Sequence, residues 1–143
     1  GILGQSTEKT AALYCKRRDG SIFGEPADGF KLRQRYQHVI EEGGRVEQSV
    51  RALEAGDIAA FGELMNRSHE SCRDLYEISC PELDRLVEIS LEARALGSRL
   101  TGAGFGGCTV SLVERKRVEA FMRQVVHSYT GIIWGGRIGN SAS

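Results

Sequence analysis

The chain has 143 residues, enough for one domain or one piece of a larger one. Its 41% apolar and 27% charged residues make an ordinary globular balance, which excludes a disordered, collagenous or rod-like protein. Nineteen basic and 19 acidic residues cancel, so the chain as a whole has no electrostatic case for nucleic acid.

Residues 1–29 read as a short strand near residues 10–15, an Asp19-Gly20 turn and a returning strand at Ile22 and Phe23, followed by loop. Residues 30–54 read as a helix: Leu32, Tyr36, Val39, Val46, Val50 and Leu53 recur mostly at three- and four-residue spacing. Gly43-Gly44 is expected to kink or break it. Gly56 suits a C-terminal cap and Asp57 the N-cap of a second helix, which runs to about residue 75 with Ile58, Phe61, Leu64, Met65 and Cys72 on one side. Pro81 then opens a third helix, with Ser79 and Glu82 in capping-box spacing; Leu83, Leu86, Val87 and Leu91 share a face, and Gly97 ends it.

A short strand at residues 99–101 leads into a glycine loop at residues 102–107. A half-buried strand follows at residues 108–113. Val118, Phe121, Met122, Val125 and Val126 define an amphipathic helix. A last strand is expected at residues 129–134, before a Gly/Ser-rich tail. This order points to an α+β fold with helices packed on an antiparallel sheet.

Charge is unevenly spread. Residues 1–97 hold 13 basic and 17 acidic residues, and residues 98–143 hold six basic and two acidic, so the glycine-rich part is the positive part. A basic helix face and a nearby anion site both account for that. Cys15, Cys72, Cys80 and Cys108 are widely and irregularly spaced, with no paired His, which argues against a zinc site. No signal peptide opens the chain and no stretch reaches the length of a membrane span; a reducing, cytoplasmic setting is expected.

The sharpest motif is Gly102-Ala103-Gly104-Phe105-Gly106-Gly107. Glycines permit positive φ and let backbone amides approach a ligand, forming a nest suited to phosphate. A tight glycine turn packed on a helix is the competing reading, and spacing alone leaves both open. The G-x-G-x-x-G match fails as a dinucleotide fingerprint, since the following segment is strand-like. No Gly-Lys-Ser/Thr is present for a Walker A loop, and no kinase catalytic motif follows. Arg99 and Thr101, just before the loop, could contact an oxygen-rich ligand; equally, Arg99 could pair with a helix carboxylate such as Glu92. Ser68-His69 are neighbours on a helix and point about 100° apart, so a buried or surface hydrogen-bonded histidine is favoured over a hydrolase pair. His38 shares a face with Glu41 and Glu42, which suggests an ion pair on the helix rather than a metal site.

Together these segments resemble a known family. Residues 97–108, GSRLTGAGFGGC, resemble the third conserved motif of the GHMP sugar kinases. Residues 64–87, LMNRSHESCRDLYEISCPELDRLV, are similar to the galactokinase branch, and residues 30–46 resemble the helix that precedes it there. The wording is closest to the eukaryotic galactokinase and N-acetylgalactosamine kinase group, and the likeness spans roughly residues 30–113. Mevalonate or homoserine kinases are disfavoured by residues 64–87.

The resemblance implies that residues 1–143 are a GHMP kinase C-terminal domain of ferredoxin-like α+β fold. It implies that the full protein transfers the γ-phosphate of ATP to the C1 hydroxyl of galactose or N-acetylgalactosamine. The catalytic Asp and Arg, the phosphate loop and the Mg²⁺ ligands belong to an N-terminal domain whose motifs this chain lacks. No catalytic residue and no metal ligand are therefore expected here, and the isolated chain is expected to be inactive. Arg99, Thr101, Gly102, Ala103, Gly104, Phe105, Gly106 and Gly107 are the expected substrate- and phosphate-side loop. Implied partners are sugar, ATP and the N-terminal domain, without nucleic acid or membrane, and an isolated domain is expected to self-associate. A non-catalytic sugar sensor that kept the fold is the alternative.

Overall fold

The computed structural model describes Gly29 and residues 31–129. The expected hairpin near residues 10–23 and the last strand and tail beyond Tyr129 lie outside the described residues. The chain divides into two compact units, Gly1–Gln34 and Arg35–Ser143. In the first, the described residues are Gly29, Lys31 and the opening turn of a helix.

Helix α1 spans Leu32–Glu54 without interruption. The expected break at Gly43-Gly44 does not occur. Arg45 bonds back to Glu42 at 2.8 Å and Glu41 at 3.4 Å, so two ion pairs bracket the glycines and offset their low helix propensity. The expected apolar face is also not the buried one: His38, Arg45 and Ala52 are buried, whereas Tyr36, Val39, Val46, Val50 and Leu53 are exposed.

The helix ends at Gly56 (φ +69°), where the Asp57 amide reaches back to the Ala52 carbonyl at 2.8 Å. Asp57 then caps α2, Ile58–Asp74, accepting from the Ala60 amide at 2.9 Å, as the sequence indicated. Leu64 and Cys72 of the expected face are buried, joined by Gly62, Ser68, His69 and Ser71; Ile58 is exposed.

Helix α3, Pro81–Glu92, begins with Pro81 in its first turn. The expected capping box is absent. Cys80 is the N-cap and makes no side-chain cap; the Ser79 hydroxyl goes instead to Asp84 Oδ1 at 2.5 Å. Leu83, Val87, Ile89 and Ser90 are buried, while Leu91 is exposed. Gly97 does not end this helix, which stops five residues earlier; it is the first residue of strand β1, Gly97–Thr101. β1 pairs antiparallel with β2, Cys108–Leu112, in the register Gly97↔Leu112 through Thr101↔Cys108. A 3₁₀ turn, Arg115–Arg117, leads into α4, Val118–Ser128, which packs on α3 and buries Phe121.

Helices α2 and α3 both pack on β1. Cys72, Leu83 and Leu100 form the core between them, with Ile78 and Cys80 against it. The α+β arrangement of helices on an antiparallel pair is therefore the observed one. It sets the glycine loop at the turn between β1 and β2.

Candidate functional site

The loop from Gly102 to Gly107 owes its path to φ values L side chains rarely take: +90° at Gly102, +83° at Gly104, +125° at Gly106 and +106° at Gly107, with Phe105 itself at +57°. Phe105 is 75% exposed at the tip. Its amide donates to the Ile78 carbonyl at 2.6 Å, tying the tip to the segment between α2 and α3. Gly104 passes so close to Ile78 that a Cβ there would overlap the carbonyl oxygen and side chain. Gly102, Ala103 and Gly107 are exposed, and Thr101 stands exposed at the loop's entry. Outside helices and strands, the Phe105 bond is the one backbone hydrogen bond found in this loop among the described residues. The result is a backbone-lined turn, open to solvent and carrying no charged side chain.

Arg99 faces elsewhere. Its Nη1 donates to Glu42 Oε1 at 3.2 Å and its Nε to the Leu100 carbonyl at 3.1 Å. A helix carboxylate does hold it, but from α1; Glu92 pairs with Arg85. Glu42 gathers three partners: Arg99, the Ser68 hydroxyl at 2.5 Å and Arg45 Nε at 2.8 Å. Burial works to raise the Glu42 pKa, but the bonds from Ser68 and Arg45 and the charges of Arg45 and Arg99 outweigh it and hold the carboxyl below its usual range. Arg45 Nη2 is buried and finds no acceptor among the described residues. This group forms part of the wall of a groove of about 430 Å³ whose other lining includes Val46, Val50, Phe61, Leu64 and Leu112.

Two buried histidines lie alongside. His38 Nδ1 is 2.8 Å from the Ser71 hydroxyl, and its ring stacks on Tyr76 with centroids 4.6 Å apart. His69 accepts the Leu100 amide at Nδ1 (3.3 Å), which places its proton on Nε2. Nε2 lies 3.2 Å from Asp84 Oδ1, within reach of charge attraction but off the line of an aligned hydrogen bond. Burial pushes both imidazoles below the ordinary histidine pKa, against the opposing pull of Glu42 on His38 and of Asp84 on His69. Ser68 and His69 do not pair, and His38 does not pair with Glu41 or Glu42.

Sequence patterning places the loop, Arg99 and Thr101. It does not find Glu42, Ser68 and Asp84 as partners. Glu42 and Arg99 are 57 residues apart, and the bond at His69 goes to a backbone amide, which no side-chain motif records.

Among the described residues there is no group of three or more His, Cys, Asp or Glu placed to hold a metal ion. No helix among them is long and apolar enough to cross a membrane.

Helices on an antiparallel hairpin, joined by a glycine turn tied to the α2–α3 segment, define an α+β domain with a backbone-built loop. The family model described as "GHMP kinases C terminal" matches residues 49–130, more than half of the chain, and the chain belongs to that family. Within it, galactokinases are prominent among its relatives. The galactokinase of Roseiflexus sp. (strain RS-1) is 57% identical over 99 residues, covering 68% of this chain and 25% of that protein. The human galactokinase is 50% identical over 105 residues, covering 73% and 26%. The crystal structure of Lactococcus lactis galactokinase complexed with galactose superimposes with a TM-score of 0.66 at 41% identity, covering 72% of this chain and 27% of that one. The chain thus spans about a quarter of the length of the curated relatives it matches.

Proposed function

We propose that this chain is the C-terminal domain of a galactokinase-type enzyme, which transfers the γ-phosphate of ATP to the C1 hydroxyl of galactose or N-acetylgalactosamine. The observation that carries the reading is the 57% identity to a galactokinase across a stretch of 99 residues. Galactokinases from a bacterium and from human match at comparable identity, so the reading is taken for galactokinases as a group rather than for a eukaryotic-like branch.

Phosphoryl transfer needs positioning and charge stabilisation more than covalent chemistry from the protein. The loop of Gly102, Ala103, Gly104, Phe105, Gly106 and Gly107, with Thr101 at its entry, supplies shape and backbone donors to the substrate side of a site shared with an N-terminal domain. Arg99, held by Glu42, supports the strand beneath it. When bound, Mg²⁺ and ATP bring the charge neutralisation and the transferable group. Their ligands and the catalytic acid–base residues belong to the N-terminal domain, and this chain alone is inactive. The three described cysteines are free thiols, which agrees with a cytoplasmic setting. Exposed Val46, Val50 and Leu53 favour self-association of the domain on its own.

The test is ATP-to-ADP turnover by the purified chain with Mg²⁺ and galactose or, separately, N-acetylgalactosamine. None is expected alone; turnover is expected when the N-terminal part of a galactokinase is added in trans. Turnover by the 143 residues alone would overturn the shared-site reading. Sugar-dependent capture of a protein partner, without turnover in the complemented mixture, would favour a sugar sensor instead.

A further inference from the structure

The glycine loop is anchored at two points, and both lead to one buried side chain. Leu100, two residues before Gly102, gives its amide to His69 Nδ1. Phe105, at the loop tip, gives its amide to the Ile78 carbonyl. The residue after Ile78 is Ser79, whose hydroxyl donates to Asp84 Oδ1 at 2.5 Å, and that same oxygen faces His69 Nε2 at 3.2 Å. The series Leu100–His69–Asp84–Ser79, hydrogen-bonded at both ends and closed in the middle by the 3.2 Å approach of His69 Nε2 to Asp84, therefore joins the strand that enters the loop to the segment that holds its tip. His69 is 3% exposed and lies at the middle of the series.

We infer that His69 is a positioning residue for the glycine loop, in its neutral Nε2-protonated tautomer, acting through Leu100 on one side and through Asp84 and Ser79 on the other. That the positioned loop serves phosphoryl transfer rests on the galactokinase-type reading; the series of contacts itself does not.

The chemistry follows from the two ring nitrogens. Nδ1 accepts only while it carries no proton. Protonating it removes the acceptor for Leu100 and puts two donors where one acceptor is needed. The charged groups around the ring are Asp84 on α3, which favours the imidazolium, and Arg73 on α2 and Arg99 on β1, which oppose it; Asp74 also senses the ring. Burial and the two arginines prevail, keeping His69 neutral at pH 7.

The test uses the 143-residue chain and needs neither ATP nor sugar, so it stands apart from the turnover assay that judges the kinase reading. Amide hydrogen exchange is followed by NMR in the wild type, His69→Ala and His69→Gln. His69→Ala should speed exchange at Leu100 and Phe105 by about tenfold relative to Ile89 in α3, the equivalent of about one hydrogen bond. His69→Gln, whose amide oxygen can accept from Leu100, should restore most of the protection at Leu100. Equal acceleration at Leu100, Phe105 and Ile89 would mean a general loss of stability and overturn the inference. If His69→Ala does not fold, the wild type decides. The Leu100, Phe105 and loop glycine amide shifts should follow the midpoint of the His69 ring ¹⁵N titration, distinguished from that of His38 by its own resonances. Loop shifts that stay flat through the His69 midpoint would overturn it.

Discussion

Gly62 and Gly97 meet face to face, 35 positions apart. A Cβ on Gly97 would come closer to the Gly62 carbonyl than the 3.0 Å that real Cβ atoms keep, and a Cβ on Gly62 would do the same to the Leu96 carbonyl. Both obstacles are backbone, so neither can swing aside. We expect Gly62→Ala and Gly97→Ala each to destabilise by about 3 kcal/mol, the upper part of the range for overpacking. Gly43→Ala is the contrast: the position is mid-helix and nothing lies within 4 Å of its Cβ, so a gain of about 0.5–1 kcal/mol is expected. Urea unfolding midpoints at constant slope measure all three.

Within the loop, steric need separates two glycines of similar φ. Gly102 (φ +90°) has open space around its Cβ; Gly104 (φ +83°) has Ile78 against it. Alanine at 102 should cost about 1 kcal/mol from backbone strain alone. Alanine at 104 should cost more than twice that and release the Phe105–Ile78 bond, visible as faster Phe105 amide exchange. Equal losses at both positions would mean that Ile78 gives way.

Glu42 is the hub between α1, α2 and β1. Glu42→Gln leaves the Arg45 and Arg99 charges without their shared carboxylate, the former almost fully buried. Removing one member of a fully buried pair costs about 3–5 kcal/mol; with Glu42 and Arg99 partly exposed, about 2 kcal/mol is expected. Because the folded carboxyl is held below its ordinary pKa, its stabilisation is present above about pH 4.5 and is lost as pH falls through the folded value. Stability measured between pH 5 and 3 should therefore fall less steeply in Glu42→Gln than in the wild type.

The sequence shows some of this and hides the rest for definable reasons. The Gly56 stop, the Asp57 cap, Pro81 in a first turn and the glycine hairpin between two strands are local, and each rests on one residue's backbone preference. The buried face of α1 is not legible in the sequence because periodicity reports which residues align, not which side meets a neighbour; here the side carrying His38 and Arg45 is buried. Gly97 reads as a helix stop because its actual role, close approach to Gly62, depends on a contact between distant segments. The resemblance to galactokinases singled out the segment that forms the turn between β1 and β2. It did not carry Glu42, Asp84 or the His69–Leu100 bond, which pair across elements.

Both buried histidines should make the fold acid-sensitive in a specific window. Their folded pKa values are lowered, chiefly by burial, so the unfolded chain takes up protons first as pH falls. Their stabilisation is complete above the ordinary value of about 6.5 and declines below it until the folded pKa values are reached. The unfolding midpoint should drop between pH 7.5 and pH 5.5, before Glu42 begins to titrate. His38→Gln, which retains a partner for Ser71, should make that drop smaller. An unchanged midpoint across this range in the wild type would mean that the two rings take up protons at the same pH folded and unfolded, and that burial does not lower their pKa values.

Cysteine reactivity reports on the core directly. Cys72 is 3% exposed and sits with Leu83 and Leu100; burial pushes its thiol up, against the pull of Arg99, whose Nη2 is 4.0 Å from the sulfur. Cys80 is half-buried at the edge of that core, and Cys108 is exposed at the start of β2. The thiolate is the reactive form, so a buried thiol with a raised pKa is doubly protected. Iodoacetamide at pH 7.5, with peptide mapping by mass spectrometry, should label Cys108 first, Cys80 next and Cys72 last. Low urea should accelerate Cys72 labelling in proportion to the unfolded fraction, because its sulfur is reached only when α2 parts from β1. Early labelling of Cys72 in buffer would place it outside the core and remove the packing on which the Leu100 anchor of the glycine loop depends.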